Sequence, residues 1–304
     1  MLRIIPLILP IFLVLGCGVV LRVLKAADEN WVRVLNRYGL YIGFPALIFE
    51  SLIHIEGASL IQNLPVYGLN IVLLVAILTL LIVPLKIFKV RNTIANTYII
   101  CTFFGNVAYL GYPVVTSVFP NAAGEVSIII AIYVIILFTI GIGVLEVSKS
   151  EYTSPFTILL NIAKNPFIAA VALGIVFIRY GISLPAYLVD ALRIIKGSAS
   201  PVVIISLGIF IAQKVPLRRT WKHSLAITVV RLFAIPALFS IAGWSLDMGS
   251  EFFISIVEAG MPLAVTPFAL SSVYPLDREV IVSAIVLSTI ISIFTLPGII
   301  AFLQ

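Results

Sequence analysis

The sequence carries very little charge. Asp, Glu, Lys and Arg together make up 11% of its 304 residues, whereas hydrophobic residues make up 62%. A soluble globular chain is roughly 25% charged, so this chain has too few polar side chains to cover a surface in water. Its apolar content also excludes an intrinsically disordered protein. The scarcity of charge therefore favours a polytopic membrane protein, whose main solvent is the lipid bilayer.

Cysteine and histidine are equally scarce. The two cysteines, Cys17 and Cys101, lie inside apolar stretches, and the chain has 2 histidines. These few residues exclude a disulfide framework and leave no set of metal ligands. The sequence also shows no nucleophile beside a base and no phosphate-binding loop. We therefore expect no enzyme activity, no cofactor and no metal site.

Ten long apolar runs follow one another along the chain. Each approaches or exceeds the ~20 residues that a helix needs to cross ~30 Å of hydrocarbon. The sequence therefore predicts an all-α polytopic membrane protein with ten transmembrane helices. The runs cover approximately residues 4–24, 31–54, 65–85, 93–119, 125–145, 158–178, 187–212, 220–243, 252–274 and 280–303.

Basic residues are unevenly distributed among the links that join these runs. The odd-numbered links carry 14 Lys and Arg residues, while the even-numbered links and both termini carry 4. Because cytoplasmic loops are enriched in Lys and Arg, we expect the odd-numbered links in the cytoplasm and both termini outside it, in a plasma or inner membrane. These loops also explain the net charge of +6, so we expect no nucleic-acid partner.

Prolines recur at a constant spacing in the two halves of the chain. Pro45 and Pro201 are 156 residues apart, and a second pair of prolines has the same separation. This spacing predicts two five-helix repeats, residues 1–150 and 151–304. Because five is odd, the second repeat would be inverted in the membrane, which is typical of secondary transporters with a binding site near the bilayer midplane. A duplication kept only for helix packing is the alternative.

Runs four and nine occupy matching positions in the two repeats, and both contain glycine and proline. An internal proline removes a helix hydrogen bond, and glycine lowers the cost of unwinding. In lipid, such breaks survive where they line a cavity or pack on protein, so paired breaks predict a transport site. Kinks packed on neighbouring helices are the alternative. The expected substrate-binding residues are Gly105, Asn106, Tyr109, Gly111, Tyr112, Pro113, Gly260, Met261, Pro262 and Thr266.

The chemistry of these breaks suits an anion. A half-helix that restarts after a break directs free backbone N–H groups and a positive dipole end at the break. The Asn106 side chain adds two amide donors and one acceptor. We therefore expect the substrate to carry a carboxylate.

Two charged residues, Arg231 and Glu258, lie deep inside runs eight and nine. Ionisable groups within a membrane usually face a cavity or a partner and often serve transport. We expect a coupling role for this pair, in which Glu258 couples transport to protons or senses the charge of the substrate. A structural ion pair or a snorkelling arginine is the alternative. Glu50 and Lys196 lie nearer the ends of their runs and are expected to snorkel toward the interface.

Several short elements together resemble the auxin efflux carrier family, whose fold is related to that of bile-acid symporters. The resemblance covers nearly the whole chain, and its most specific element is Asn106 followed by Gly111 and Pro113. The elements are Phe44-Pro45-Ala46-Leu47-Ile48-Phe49, Gly105-Asn106-Val107-Ala108-Tyr109-Leu110-Gly111-Tyr112-Pro113, Lys164-Asn165-Pro166, Ser200-Pro201 with Ser206-Leu207-Gly208, and Met261-Pro262.

The resemblance implies a fold and a class of substrate. It implies ten helices, with helices four and nine broken at proline where they cross. Helices 1, 2, 6 and 7 would form a scaffold, and helices 3–5 and 8–10 a mobile transport bundle. It also implies organic anions such as auxin or dicarboxylates as substrates, and a homodimer. The second crossover of this chain lacks the asparagine of the plant members.

The leading hypothesis is a secondary active transporter that moves a small organic anion across the lipid bilayer by alternating access. A passive channel or facilitator and a sodium-coupled organic-anion symporter are the alternatives. A channel predicts a continuous polar lining, whereas the polar residues of this sequence cluster at one depth. A membrane receptor would need a sensor or signalling domain, for which the short links leave no room.

Overall fold

A computed structural model describes residues 5–54, 57–90, 92–141, 143, 145, 164–213 and 215–303. Within these ranges the chain is helical and forms no β-strand, apart from one isolated bridge. The predicted all-α class is therefore confirmed. The predicted boundary between the two repeats, at residues 150 and 151, lies outside the described residues.

The α-helices of the described residues are numbered in chain order. They are α1 (Ile5–Val23), α2 (Glu29–Tyr38), α3 (Phe44–Leu52), α4 (Gly57–Gln62), α5 (Leu64–Ile87), α6 (Asn92–Phe103), α7 (Tyr112–Val118), α8 (Ala123–Ile136), α9 (Pro166–Tyr180), α10 (Ala186–Ile211), α11 (Leu217–Val229), α12 (Ile235–Ser245), α13 (Phe253–Ala259), α14 (Thr266–Leu270) and α15 (Arg278–Leu303).

Six helical segments of the described chain are long and apolar enough to cross a membrane. Two shorter apolar segments, Val107–Val118 and Pro166–Tyr180, accompany them. This pattern is that of a multi-pass membrane protein, while the count of ten spans stays a prediction. The six long segments are Ile5–Val23, Leu64–Leu85, Pro120–Gly141, Ala186–Ile211, Leu217–Ser245 and Arg278–Leu303.

Side chains at helix ends show why some of these helices begin where they do. Asp28 precedes α2, and its carboxylate accepts hydrogen bonds from the N–H groups of Asn30 and Trp31. Asn165 precedes α9 and accepts the N–H of Phe167, with Pro166 in the first turn, where its missing N–H costs nothing. Each cap satisfies backbone donors that a helix start leaves without partners.

A π-helical turn precedes three of the prolines, Pro45, Pro113 and Pro236. Proline lacks the N–H that would bond to the carbonyl four residues earlier, and its ring clashes with that carbonyl. A wider turn relieves the clash: the N–H of Ile235 bonds to the carbonyl of Val230, five residues back. The turns are Gly39–Gly43, Val107–Gly111 and Val230–Ala234. Such turns are frequent at functional sites.

The described residues divide into two compact units, each of which draws on both halves of the sequence. The first unit comprises the described residues of Met1–Tyr67, Ala108–Ala131 and Ala163–Gln213, and the second those of Gly68–Val107, Ile132–Ile162 and Lys214–Gln304.

In the first unit, α1 packs along α10, and α3 packs on both α9 and α10. The α1–α10 contact is backbone to backbone, because a Cβ on Gly18 would overlap the carbonyl of Ile205 and a Cβ on Gly208 would overlap that of Leu15. Glu50 on α3 is 4% exposed, and Lys196 Nζ on α10 lies 2.6 Å from its Oε2. The expectation that Glu50 and Lys196 snorkel separately to the interface is wrong, since their opposite charges pair between packed helices.

In the second unit, α11 packs along α15, and α13 contacts α12 and α15. Polar side chains link α11 to α15 and to α6 inside the apolar packing. The hydroxyl of Thr220 donates to Ser283 Oγ at 2.7 Å, and Tyr98 Oη lies 2.9 Å from His223 Nδ1. Partners for buried hydroxyl groups are needed in such packing, since an unpaired polar group in an apolar environment is costly.

Candidate functional site

Two helical segments of the second unit are interrupted. Helix α6 ends at Phe103, and residues 104–106 leave the helix before the π turn that begins at Val107. Helix α13 ends at Ala259, and residues 260–265 are unwound before α14 begins at Thr266. The second interruption contains Pro262, as the resemblance implied. The first lies ahead of Pro113, which instead occupies the first turn of α7, where proline is well tolerated.

The two unwound segments pair with each other in antiparallel fashion, through a bridge between Gly105 and Leu263. The N–H of Asn106 donates to the carbonyl of Pro262 at 2.7 Å, and the N–H of Ala264 donates to that of Phe104 at 2.9 Å. Membrane interiors offer no water to backbone groups. Each break therefore supplies the hydrogen-bond partners that the other needs, and we call this pairing the crossover.

Arg231 joins the crossover from the π turn after α11. Its side chain is buried, with 1% of the residue exposed. Nε donates to the carbonyl of Met261 at 2.8 Å, and Nη1 lies 3.5 Å from the carbonyl of Thr102. Thr102 is in the last turn of α6 and Met261 follows the end of α13, so the guanidinium meets the negative dipole ends of both half-helices.

Gly105 makes room for this arginine. A Cβ on Gly105 would overlap the guanidinium group of Arg231. Gly260 is also closely packed, because a Cβ there would lie 2.6 Å from Cδ1 of Ile299. The two glycines of the crossover are therefore needed for the close approach of side chains, in addition to any easing of unwinding.

Glu258 lies in the last turn of α13 and is 0% exposed. Neither carboxylate oxygen has a hydrogen-bond partner among the described residues. Arg231 forms no contact ion pair with this carboxylate. The sequence left open a structural ion pair between Arg231 and Glu258, and these two described residues do not form one.

Donors beside the crossover are also unpartnered. Nδ2 of Asn106, Nη2 of Arg231 and the hydroxyl of Tyr133 are buried and have no hydrogen-bond partner among the described residues. Asn106 itself is 3% exposed. The large majority of buried polar side-chain atoms in proteins are hydrogen-bonded, so these unpartnered atoms distinguish the crossover region from ordinary helix packing.

The remaining predicted site residues lie elsewhere. Tyr109 and Tyr112 belong to the first unit, where the Tyr109 ring stacks on Phe44 with centroids 4.9 Å apart. The hydroxyl of Tyr112 lies 2.8 Å from Ser51 Oγ. Both tyrosines thus pack against α3. Gly111 and Pro113 form the junction between the π turn and α7, and Thr266 is half-buried at the start of α14.

Sequence reasoning missed three residues of the crossover region. Thr102 supplies a carbonyl to Arg231, Ser288 Oγ on α15 accepts the N–H of Leu263 at 3.1 Å, and Tyr133 carries an unpartnered hydroxyl. The sequence could have indicated Tyr133, because its side chain carries a hydroxyl in the middle of the apolar stretch from Ile128 to Ile136. The other two act through a backbone carbonyl and a common serine, which no sequence pattern singles out.

Comparison of the sequence with known proteins places this chain in a family. The chain matches the sequence model described as membrane transport protein over residues 3–300. It is 25% identical over 299 residues to an uncharacterized transporter of Methanocaldococcus jannaschii, with 95% of each chain covered. A Rhizobium meliloti protein named "Putative malonate transporter" is 22% identical over 317 residues, covering 98% of this chain and 95% of the relative.

A plant relative matches a part of the chain. Auxin efflux carrier component 8 of Arabidopsis thaliana is 25% identical over 137 residues, which cover 43% of this chain and 37% of the relative. The family match, in contrast, extends over almost the entire sequence. The protein therefore belongs to the membrane transport protein family, which includes the auxin efflux carriers, and is a membrane transporter.

Proposed function

We propose that this protein is a secondary active transporter that moves a small organic anion across a cell membrane by alternating access. The observation that carries the proposal is the crossover, where two interrupted helices pair and two buried donors, Asn106 Nδ2 and Arg231 Nη2, have no partner among the described residues. Relatives named for malonate and for auxin support a carboxylate as the shared chemical group.

Asn106 is the proposed anchor for the substrate carboxylate. It directly precedes the helix that restarts at Val107, so its amide and the first free N–H groups of that helix adjoin along the chain. An anion is stabilised at such a helix start by both the N–H groups and the dipole. The other predicted site residues of the crossover, Gly105, Gly260, Met261 and Pro262, would shape the backbone around the anion.

Glu258 is the proposed coupling group. Its carboxylate and a bound substrate carboxylate would both be attracted by the single positive charge of Arg231. Two anions sharing one cation in a desolvated site repel each other, which favours uptake of a proton by one of them. Binding of the organic anion would then bring a proton onto Glu258, and release of the anion would set that proton free. Because the proton and the anion bind and leave together, the pH gradient becomes an energy source for transport.

The division of the chain into two units supports a scaffold and a transport part. The first unit contains α1, α2, α3, α9 and α10, which correspond to predicted helices 1, 2, 6 and 7, and it also contains Ala108–Ala131, from predicted helices four and five. The second unit carries the crossover. We propose that the second unit carries the anion. The two units together would be built from two inverted five-helix repeats. The protein would form a homodimer with both termini outside the cytoplasm.

Counterflow in proteoliposomes tests the function. Purified protein is reconstituted with unlabelled malonate inside the vesicles, and uptake of labelled malonate is measured against vesicles that contain no malonate. A carrier predicts faster uptake with malonate inside, because the loaded site returns more readily. A passive channel predicts equal initial rates with and without internal malonate. Absence of saturable uptake for malonate and for a panel of other carboxylic acids would contradict the proposal.

A further inference from the structure

The crossover brings together the C-terminal ends of two half-helices. Helices α6 and α13 both end there, and each end carries carbonyl groups that the helix itself cannot satisfy. In broken-helix transporters, unwound carbonyls and half-helix C-terminal ends are the places where coupling cations such as sodium bind. The question at this crossover is therefore which group satisfies the carbonyls.

Four carbonyls at the meeting of the two unwound segments already face an N–H donor or the arginine. The carbonyls of Phe104 and Pro262 accept backbone N–H groups of the opposite segment. The carbonyls of Thr102 and Met261 face Nη1 and Nε of Arg231. A sodium ion at the two helix ends would be coordinated by the carbonyl oxygens of Thr102 and Met261. Both oxygens already face the guanidinium.

The position of this guanidinium is built into the surrounding backbone. The π turn that precedes Pro236 carries Arg231, and the missing Cβ of Gly105 provides the space for its Nη2. The residue is almost completely buried, so the side chain has no route to solvent of the kind that a snorkelling arginine uses.

We propose that Arg231 is a tethered cation that fills the sodium position of the crossover. A permanent charge on a side chain then neutralises the two half-helix ends in every state of the transport cycle. Sodium contributes neither to the stability of the crossover nor to the binding of the anion, and Glu258 remains as the group at this site whose charge can change. The inference rests on the proposed function only for its consequence in transport.

Thermal unfolding of purified protein tests the tethered cation without any transport assay. Melting temperatures are compared in sodium chloride and in N-methyl-D-glucamine chloride at equal ionic strength, for wild type, Arg231→Ala and Arg219→Ala. Arg219 is the matched control, because it is a neighbouring arginine on α11 with an 82% exposed side chain. We expect no sodium-specific shift in wild type or in Arg219→Ala.

Removal of the guanidinium should open the position to a free ion. We expect Arg231→Ala to melt at a lower temperature and to gain about 2 °C or more from sodium or from millimolar methylguanidinium, since a ligand that binds the folded state stabilises it. Sodium-specific stabilisation of wild type would overturn the proposal, as would an Arg231→Ala protein that neither ion stabilises.

A second variant covers the case in which Arg231→Ala does not fold. Gly105→Ala places a Cβ against the guanidinium and should displace it, so this variant should also acquire stabilisation by sodium. A folded Gly105→Ala protein with unchanged stability and no response to sodium would overturn the proposal. Failure of counterflow with malonate and with the panel of other carboxylic acids, with these ion responses intact, would reject the transport proposal alone. Sodium-dependent counterflow by wild type would reject the tethered cation alone.

Discussion

Two buried glutamates of this protein have opposite surroundings. In the first unit, Oε2 of Glu50 lies 2.6 Å from Lys196 Nζ, and Oε1 lies 3.4 Å from Arg193 Nε. In the second unit, neither oxygen of Glu258 has a hydrogen-bond partner among the described residues. The two side chains are similarly inaccessible, so burial alone does not distinguish them.

The difference in partners separates a glutamate that stabilises the fold from one that suits a role in transport. A carboxylate held by two cations joins α3 to α10, at the cost of removing charges from water. A carboxyl without direct partners can gain or lose a proton without breaking a contact. Glu50 therefore suits a part of the molecule with a fixed structure, and Glu258 suits a part whose charge changes during a cycle.

The largest expected effect comes from breaking the Glu50 pair. Lys196→Met removes the closest cation and should lower the free energy of unfolding by about 3 kcal/mol, because it leaves a buried carboxylate with weaker compensation. Thermal unfolding in detergent measures the loss. The double variant Glu50→Gln with Lys196→Met is the control, and it should recover most of the stability. Equal stability of the single variant and wild type would show that the pair does not stabilise α3 against α10.

Asn106→Ala should have the next largest effect, on substrate affinity. Loss of one hydrogen bond to a charged group costs ~1.5–3 kcal/mol, or about ten- to a hundredfold in affinity. Binding of malonate is measured by isothermal titration, with circular dichroism to confirm the fold. Asn30→Ala serves as a control, because Asn30 lies at the start of α2 in the first unit. Unchanged affinity would make Asn106 a structural residue of the crossover.

Glu258→Gln sharpens the comparison with a smaller effect on stability. The substitution keeps size and hydrogen bonding but removes the charge change, so the melting temperature should stay close to that of wild type. Malonate exchange should continue, while net uptake should lose its dependence on a pH gradient across the vesicle membrane. Glu50→Gln is the matched variant, and it should retain the pH response at reduced stability. A Glu258→Gln transporter with an unaltered pH response would eliminate the coupling role.

The smallest perturbation tests the orientation of the segment that carries Arg231. Single cysteines at Leu217 and Met248, in a protein without Cys17 and Cys101, flank α11 and α12 and should leave activity unchanged. The positive-inside bias predicts that they are labelled from opposite sides, with Leu217 in the cytoplasm. Labelling of both from the same side would contradict the predicted span count and the outside location of the termini.

The crossover shows what the sequence could reveal about the site. Glycine, proline and charge stand out in an apolar run, so Gly105, Pro262, Arg231 and Glu258 were visible as candidates. The pairing of the two breaks was not, because an antiparallel bridge depends on which backbone groups meet in space. The same limit applies to Arg231, whose partners are carbonyl oxygens that every residue possesses.

Partners far apart in the chain explain the other differences. The Glu50–Lys196 pair joins positions on α3 and α10 that no local spacing connects, so each side chain alone resembled a residue near a span end. Tyr109 and Tyr112 lie close to Asn106 in sequence, yet they pack against Phe44 and Ser51. Helical periodicity identifies the segments, whereas the side of a helix that faces a ligand depends on packing between helices.

The contact between Gly105 and Arg231 has an evolutionary consequence. A side chain larger than hydrogen at position 105 would overlap the guanidinium of Arg231 where it now lies, so a change at one position alters what the other can hold. Descendants of this gene that acquire alanine at the first position should lose arginine at the second, and those that lose the arginine are released from the need for glycine. Such joint replacement would show, from sequences alone, each lineage in which a free cation from solution replaced the arginine side chain.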